Sequence, residues 1–426
     1  MPFSLVSCGS NAHGQLANGK LDDAHTFQPC IFEDENVKNY SISERIIHIA
    51  TSGNHVLLLS EFIEESTGWT RRSLWGCGDG HSGQLGNLGR NEDETVFRRI
   101  DLQLAEHGLE DYQPRLICCS WETSYVVLSC ERKPDALISM GSNDFGDLGV
   151  GQSLSVHAKL FHTVLFDHLP IDELAMDGAS LQVISVSAGQ HHIIAQIRVQ
   201  VSEHYGRSLI VGWGAARHGQ LGDTTMLNKK TPFFSLPKII EIPHQPDDPV
   251  IQISLGHRHS VFLHESRRLS CLGSNMKSQI TDLDTFRNVS FVECTWNGTY
   301  FIDTSGLLYA TGSHSKGQLG RSLSLEPLSS VQPHPIEFPF ATTLSKYILK
   351  IACGSEHVLA LSIRAESDLR SEVWGWGWNE HGNMGLCSTM DVHTPVKLWP
   401  QEDDNERAIA VGIWAGCGTS WIAVEK

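Results

Sequence analysis

Ser7-Cys8-Gly9-Ser10-Asn11-Ala12-His13-Gly14-Gln15-Leu16 is the stretch on which the fold turns, because its pattern recurs six more times along the chain. The later copies are Gly78-Asp79-Gly80-His81-Ser82-Gly83-Gln84-Leu85-Gly86, Gly141-Ser142-Asn143-Asp144-Phe145-Gly146-Asp147-Leu148-Gly149 and the segment from Gly214 through His218-Gly219-Gln220-Leu221-Gly222. They continue as Gly273-Ser274-Asn275-Met276-Lys277-Ser278-Gln279-Ile280, which has lost its glycine turn, then Gly312-Ser313-His314-Ser315-Lys316-Gly317-Gln318-Leu319-Gly320 and Gly377-Trp378-Asn379-Glu380-His381-Gly382-Asn383-Met384-Gly385. The first glycines, at 9, 78, 141, 214, 273, 312 and 377, lie 69, 63, 73, 59, 39 and 65 residues apart. Self-similarity on this scale marks an array of like structural units.

A second phrase follows each copy: alternating apolar residues, a turn of small residues, usually a histidine, then another apolar run. Ile47-His48-Ile49-Ala50 leads to His55-Val56-Leu57-Leu58, Val183-Ile184-Ser185-Val186 to His192-Ile193-Ile194, and Ile348-Leu349-Lys350-Ile351 to His357-Val358-Leu359. Period-two patterning with glycine turns reads as antiparallel strands. Seven four-stranded antiparallel units with no helices of their own must hide their faces against one another, and closing the array into a ring removes its exposed edges. The chain starts on a first-phrase strand, Phe3-Ser4-Leu5-Val6, and ends on a second-phrase strand, Trp421-Ile422-Ala423-Val424. The expected fold is therefore an all-β, seven-bladed β-propeller over residues 1–426, with one blade shared by the two ends of the chain.

Composition narrows function. The chain of 426 residues is 40% apolar with 38 glycines and 11 tryptophans, and carries 49 acidic against 32 basic residues for a formal charge of −17. No run of four Lys or Arg offers a phosphate-binding patch, so direct DNA contact is not expected. The eleven cysteines are scattered without a CxxC pair and read as reduced, buried apolar residues. No apolar run is long enough to cross a membrane, and the N-terminus lacks the basic and apolar regions of a secretory signal. Cytoplasm, shared with the nucleus, is the expected compartment.

The repeated residues read as scaffold. Glycine at a fixed point of every copy supplies backbone with positive φ, not seven phosphate loops, since no Gly-Lys-Ser/Thr follows any of them. His55, His192, His259 and His357 read as core histidines linking neighbouring strands, and Asn11, Asn143, Asn275 and Asn379 as side chains that cap turns. No nucleophile, paired carboxylate or metal-ligand cluster stands out, so no catalytic residue, cofactor or metal is expected.

Departures from the repeat point to function. Where other copies carry the turn histidine, the chain reads Cys119-Ser120-Trp121-Glu122-Thr123, Cys294-Thr295-Trp296-Asn297-Gly298 and Gly416-Cys417-Gly418-Thr419-Ser420-Trp421. Trp121 and Trp296 hold the same place in their turns, either as interface anchors near the central channel or as wedges between blades. Trp374, Trp376 and Trp378 fall on one face of a strand and read as blade core, with Glu380-His381 just beyond. Candidate partner-binding residues are Trp121, Glu122, Trp296, Trp378, Glu380 and His381. The connections 87–114, 152–182, 223–249, 321–347 and 386–407 are the variable rim, and the acidic pieces at 91–94 and 401–406 read as solvated loops.

The Gly-x-Asn-x-x-Gly-Gln-Leu-Gly phrase closely resembles the regulator of chromosome condensation repeat over nearly the whole chain; the absence of Trp-Asp and Gly-Gly dipeptides sets it apart from other propeller repeats. Segment 376–383, with 416–422 and 119–123, further resembles the fungal alpha-tubulin suppressor branch of that family, and Trp-Asn-Glu-His-Gly also resembles the secretion-regulating exchange-factor branch. The first resemblance implies a non-catalytic scaffold whose partner is a small CSL-type metal-binding protein. Its role would be shared between diphthamide synthesis on elongation factor 2 and Elongator-dependent modification of tRNA wobble uridine. The alternative implied by the family is guanine nucleotide exchange on a Ran-like small GTPase.

Overall fold

The computed structural model describes residues 3–34, 37–64, 68–89, 92–151, 159–175, 180–202, 205–222, 225–226, 229–243, 247–321, 332–339, 346–364, 371–401 and 409–425. Strands dominate them, and the helical content is confined to short 3-10 turns such as Leu104–His107. Blade 1 comprises Arg45–Thr51, His55–Ile63, Thr70–Gly78 and Glu94–Arg99; blade 2, Gln113–Ser120, Thr123–Ser129, Ala136–Gly141 and His162–Thr163; blade 3, Ser180–Ala188, His192–Ser202, Tyr205–Ala215 and Phe233–Ile239. Blade 4 shows three strands among the described residues, Val250–Leu255, His259–His264 and Leu269–Gly273, in keeping with its shortened repeat. Blade 5 is Val289–Thr295, Gly298–Asp303, Leu308–Gly312 and His334–Pro335, and blade 6 is Lys346–Cys353, His357–Arg364, Ser371–Gly377 and Val392–Trp399. All pairings within these blades are antiparallel, and blade 1 is extended at its edge by Phe32–Asp34, which runs parallel to Glu94–Arg99.

Blade 7 is the expected clasp. Ile409–Ala415 and Thr419–Glu425 from the end of the chain are completed by Phe3–Gly9 and Ala24–Pro29 from its beginning, with Phe3 opposite Glu425 and Gly9 opposite Thr419. The first strand of every blade faces a central channel, with His48, Ile117, Val186, Gln252, Lys350 and Ile413 among its lining residues.

Seven apolar clusters form the core, and each lies at one seam between adjacent blades. The leucine of Gly-Gln-Leu-Gly enters them: Leu16, Leu85 and Leu148 are fully buried. The residue before it works twice. In blade 5 the Gln318 side chain accepts from the Lys316 N–H at 2.8 Å, closing its own loop, while its carbonyl accepts from the Trp376 indole of blade 6 at 2.8 Å. The asparagine closes the same loop by accepting a backbone N–H, as in Leu16 to Asn11 Oδ1 at 2.9 Å, and His314 Nδ1 takes over that task where asparagine is missing. The first glycine is required by space as well as by φ. At Gly141, with φ +116°, a Cβ would lie 2.2 Å from the Glu122 carbonyl oxygen. Where copy five lacks the later glycine, Ser278 itself takes φ 62°.

The histidines bind blades together. His55 Nε2 lies 2.9 Å from Ser124 Oγ, His192 Nε2 3.2 Å from Ser260 Oγ, His259 Nε2 3.3 Å from Thr299 Oγ1 and His357 Nε2 3.1 Å from Ser420 Oγ, each hydroxyl belonging to the next blade. Burial pushes all four imidazoles down, to about 4 for His55 and His357 and about 3 for His192 and His259, so they are neutral at pH 7. Six of the cysteines are buried, none is in a disulfide, and Cys387 is exposed. Of the proposed rim connections, residues 90–91, 152–158, 176–179, 223–224, 227–228, 244–246, 322–331, 340–345 and 402–408, with positions 91 and 402–406 of the acidic pieces, lie outside the described residues.

Candidate functional site

In most blades three residues join the first strand to the second. In blades 2 and 5 only two do, because Ser120 pairs directly with Thr123 and Thr295 with Gly298. The tryptophans occupy those tight turns. Residue-by-residue bonds then tie the turns into a collar around the channel mouth: the Trp121 N–H donates to the Gln190 carbonyl (3.0 Å), the His257 N–H to Trp296 (3.0 Å), the Trp296 N–H to Ser355 (2.8 Å), the Ser355 N–H to Gly416 (3.1 Å) and the Cys417 N–H to Ser52 (3.4 Å). The Ser52 hydroxyl donates to the Ser120 carbonyl and completes the passage from blade 1 to blade 2.

Trp121 and Trp296, on blades three places apart in the ring, meet over the mouth with ring centroids 5.9 Å apart and planes tilted by 50°. His257 lies 5.8 Å from the Trp296 ring, and His191 lies 6.4 Å from Trp121 and 4.4 Å from Phe145. Both tryptophans are half-buried. The space left at the mouth is a cavity of about 100 Å³, well under the several hundred Å³ of a typical small-molecule site. Of the two roles left open for these tryptophans, the wedge between blades is not the one adopted: the seams are filled by other side chains, and the indoles cap the channel.

Glu122 shares the turn with Trp121. Burial, together with the charges of Asp144 and Asp79, holds its carboxyl above the ordinary value, while His191 pulls the other way. His257 is pushed down to about 4 by burial and by the neighbouring Arg258, His191 and His218. The mouth therefore presents aromatic rings, neutral imidazole and a crowded carboxylate side.

Trp378, Glu380 and His381 stand further out on the same face. The residue after each first glycine donates its N–H to the last carbonyl of the turn beside it, so every Gly-x-Asn loop sits next to a mouth turn; the Trp378 N–H reaches the Glu356 carbonyl at 2.9 Å. The Trp378 indole N–H donates to Glu380 Oε2 at 2.9 Å and its ring meets His381 edge-on at 5.2 Å. His381 Nδ1 in turn lies 2.7 Å from Asp23 Oδ2 of blade 7. The reading of Trp378 as blade core is corrected here. Trp374 and Trp376 are buried at the seam of blades 5 and 6, but Gly377 at φ +106° turns the chain out of the strand, and Trp378 emerges half-exposed. Trp421, grouped with the irregular turns, is instead a fully buried strand residue.

Phe145, His191 and His257 complete the mouth and were not singled out from the sequence. Their signal is positional: both histidines fall in the turn just before a core histidine, His191 at the position held by Asn54 and Glu356 in blades 1 and 6, and His257 at that held by Gly53 and Ser355. The acidic piece at 91–94 is also not simply solvated. Asp93 lies 3.3 Å from His13 across the seam of blades 7 and 1, and Glu94 pairs with Arg98 at 3.0 Å.

Comparison with known proteins agrees with this architecture. The regulator of chromosome condensation (RCC1) repeat matches residues 210–263, 305–361 and 371–420. An RCC1 repeat-containing protein of Schizosaccharomyces pombe is 24% identical, with 99% of each chain covered. The secretion-regulating guanine nucleotide exchange factor of Mus musculus is 23% identical over 97% of this chain and 82% of its own. Among solved structures, human WBSCR16 superposes with a TM-score of 0.70 at 18% identity, covering 100% of this chain and 99% of the other. Prp20p of Saccharomyces cerevisiae gives 0.70 at 17% identity, covering 100% and 92%. Seven copies of the phrase, a seven-bladed ring clasped by both chain ends and these likenesses make the chain similar, over its whole length, to proteins of the regulator of chromosome condensation repeat family.

Proposed function

We propose that the face carrying Trp121, Glu122, Trp296, Trp378, Glu380 and His381 is a protein-docking platform, and that the protein acts as a non-catalytic scaffold. The observation that carries this reading is the meeting of Trp121 and Trp296 over the channel mouth. Large aromatics held rigid in two-residue turns lose little freedom on binding and make effective interface anchors, whereas a mouth closed by their rings offers little room for a small substrate. The partner suggested by the likeness of 376–383 and 416–422 to the alpha-tubulin suppressor branch is a small CSL-type metal-binding protein. On this reading the pair serves diphthamide synthesis on elongation factor 2 and Elongator-dependent tRNA modification.

The purified protein is expected to form a one-to-one complex with that CSL protein. Trp121→Ala or Trp296→Ala should weaken it at least tenfold in titration calorimetry while leaving the unfolding midpoint within a few degrees. Absence of any complex would remove this partner; a complex indifferent to both substitutions would move the interface off the mouth.

Exchange on a Ran-like small GTPase is the second reading, favoured by the name of the mouse relative and by the likeness to Prp20p, a protein described by its binding to Gsp1p and histones. Here the protein should speed release of labelled nucleotide from such a GTPase, and a flat trace counts against it.

A further inference from the structure

We propose that His13, Asp79 and Asp93, with His81 holding Asp79 in place, form a binding site for a divalent first-row transition-metal ion at the seam where the clasp blade meets blade 1. His13 comes from the Gly-x-Asn loop of blade 7, Asp79 and His81 from the corresponding loop of blade 1, and Asp93 from just before the outer strand of blade 1. One ligating atom from each of His13, Asp79 and Asp93 lies within 4.8 Å of the other two. His13 Nδ1 is 3.3 Å from Asp93, and His81 Nδ1 is 2.7 Å from Asp79 Oδ1 and 3.6 Å from Asp93 Oδ1. Ligands held about 2.0–2.2 Å from an ion stand about 3–4 Å from one another, so the three groups need only small side-chain rotations to close on one.

The other seams show what is unusual here. At the seam of blades 5 and 6, Lys316 Nζ meets Asp391 Oδ2 at 3.5 Å, and at that of blades 6 and 7, His381 meets Asp23 at 2.7 Å: one cationic group for one carboxylate. In both, the second carboxylate oxygen accepts a backbone N–H from the asparagine of the next loop, Asn379 or Asn11. Asp93 holds the equivalent place, but blade 1 has Gly80 where the asparagine would stand, and its loop adds Asp79 and His81, a second carboxylate and a second imidazole that a simple ion pair does not require.

The donor set suits such an ion. Asp79 and Asp93 retain 16% and 21% side-chain exposure and His13 36%, enough for entry from solvent. The His81 backbone N–H donates to Asp79 Oδ1 at 2.9 Å and the His81 ring Nδ1 lies 2.7 Å from the same oxygen, so the carboxylate is held in place. One imidazole nitrogen with two carboxylates, leaving positions for water, is a mixed set favouring Zn²⁺ or Mn²⁺ over the all-oxygen environment that calcium prefers. The His81 ring bonded to Asp79 is the outer-shell partner that orients a ligating carboxylate. The ion would staple the N-terminal part of the clasp to blade 1.

The test is calorimetric titration of the chelator-stripped full chain with Zn²⁺ and with Mn²⁺, alongside thermal unfolding with and without the ion. Wild type should take up one ion per chain and its unfolding midpoint should rise. Asp93→Asn and His13→Gln, close in size to the originals, should each weaken binding at least tenfold, whereas Asp23→Asn at the neighbouring seam should leave it unchanged. Midpoints of the ion-free variants establish that they are folded. Wild-type binding no tighter than that of Asp93→Asn, or equal loss in Asp23→Asn, overturns the site.

Discussion

His55, His192, His259 and His357 each reach a hydroxyl on the following blade, while blades 2, 5 and 7, which carry Thr123, Gly298 and Thr419 in place of histidine, are followed by blades with Ile193, Val358 and Val56 at the hydroxyl position. Donor and acceptor are kept or lost together, since a buried polar group without its partner costs about 1–3 kcal/mol. In a double-mutant cycle, His192→Leu and Ser260→Ala should each destabilise by roughly that amount, and the pair should cost at least about 0.5 kcal/mol less than their sum. Strict additivity in urea unfolding would deny the coupling. This linkage was half legible: histidine in a repeated apolar context announces a core residue, but its partner lies 40 to 69 residues on, in a different copy, and appears only when the repeats are read in pairs. Trp378 was misread because period-two counting ran past Gly377, whose positive φ ends the strand.

Two-residue and three-residue turns differ by one residue, and that difference decides which blades present tryptophan to the channel mouth. Antiparallel strands, glycine turns and the shared blade were all readable, because period two and the complementary chain ends are local signals. The way the elements meet was not. The mouth gathers turns from blades distant in sequence, and the His13, Asp79, Asp93 group joins segments from two copies; the packing of blade on blade brings them together. The clasp gives its own prediction. Phe3–Gly9 is the strand that pairs with both Thr419–Glu425 and Ala24–Pro29, and Leu5 is fully buried beside Trp421. Leu5→Asp should cost more than 3 kcal/mol, placing an unpaired charge at the seam. A variant with an unchanged urea midpoint would show that the ring does not depend on this strand.

Across the whole molecule the buried histidines set an acid limit. Their folded values of about 3 to 4 lie below the ordinary 6.5, so the unfolded chain binds protons that the folded chain refuses, and stability present above pH 6.5 is lost as pH falls toward 4 and then 3. Glu293 in the channel acts in the opposite sense: burial pushes it up to about 7, against the charge of Lys350, so it binds its proton more readily in the folded state between about pH 7 and 4.5. Glu293, with Glu122 and Glu356, which burial also raises, offsets part of the loss from these histidines, to which His48 and His257, both lowered to about 4, add; the decline should steepen below pH 4.5. Urea midpoints at pH 7.0, 5.5 and 4.0 check this; a midpoint as high at 4.0 as at 7.0 would contradict it.

The sharing of blade 7 between the two ends of the chain also has a consequence in time. During synthesis Phe3–Gly9 emerges first, yet its neighbour Thr419–Glu425 is made about 410 residues later. At roughly 5–20 residues per second, the interval is on the order of 20 to 80 seconds. Throughout it an apolar strand whose Leu5 and Cys8 end up wholly buried has one edge without its native mate, exposed to other nascent chains until the last strand leaves the ribosome.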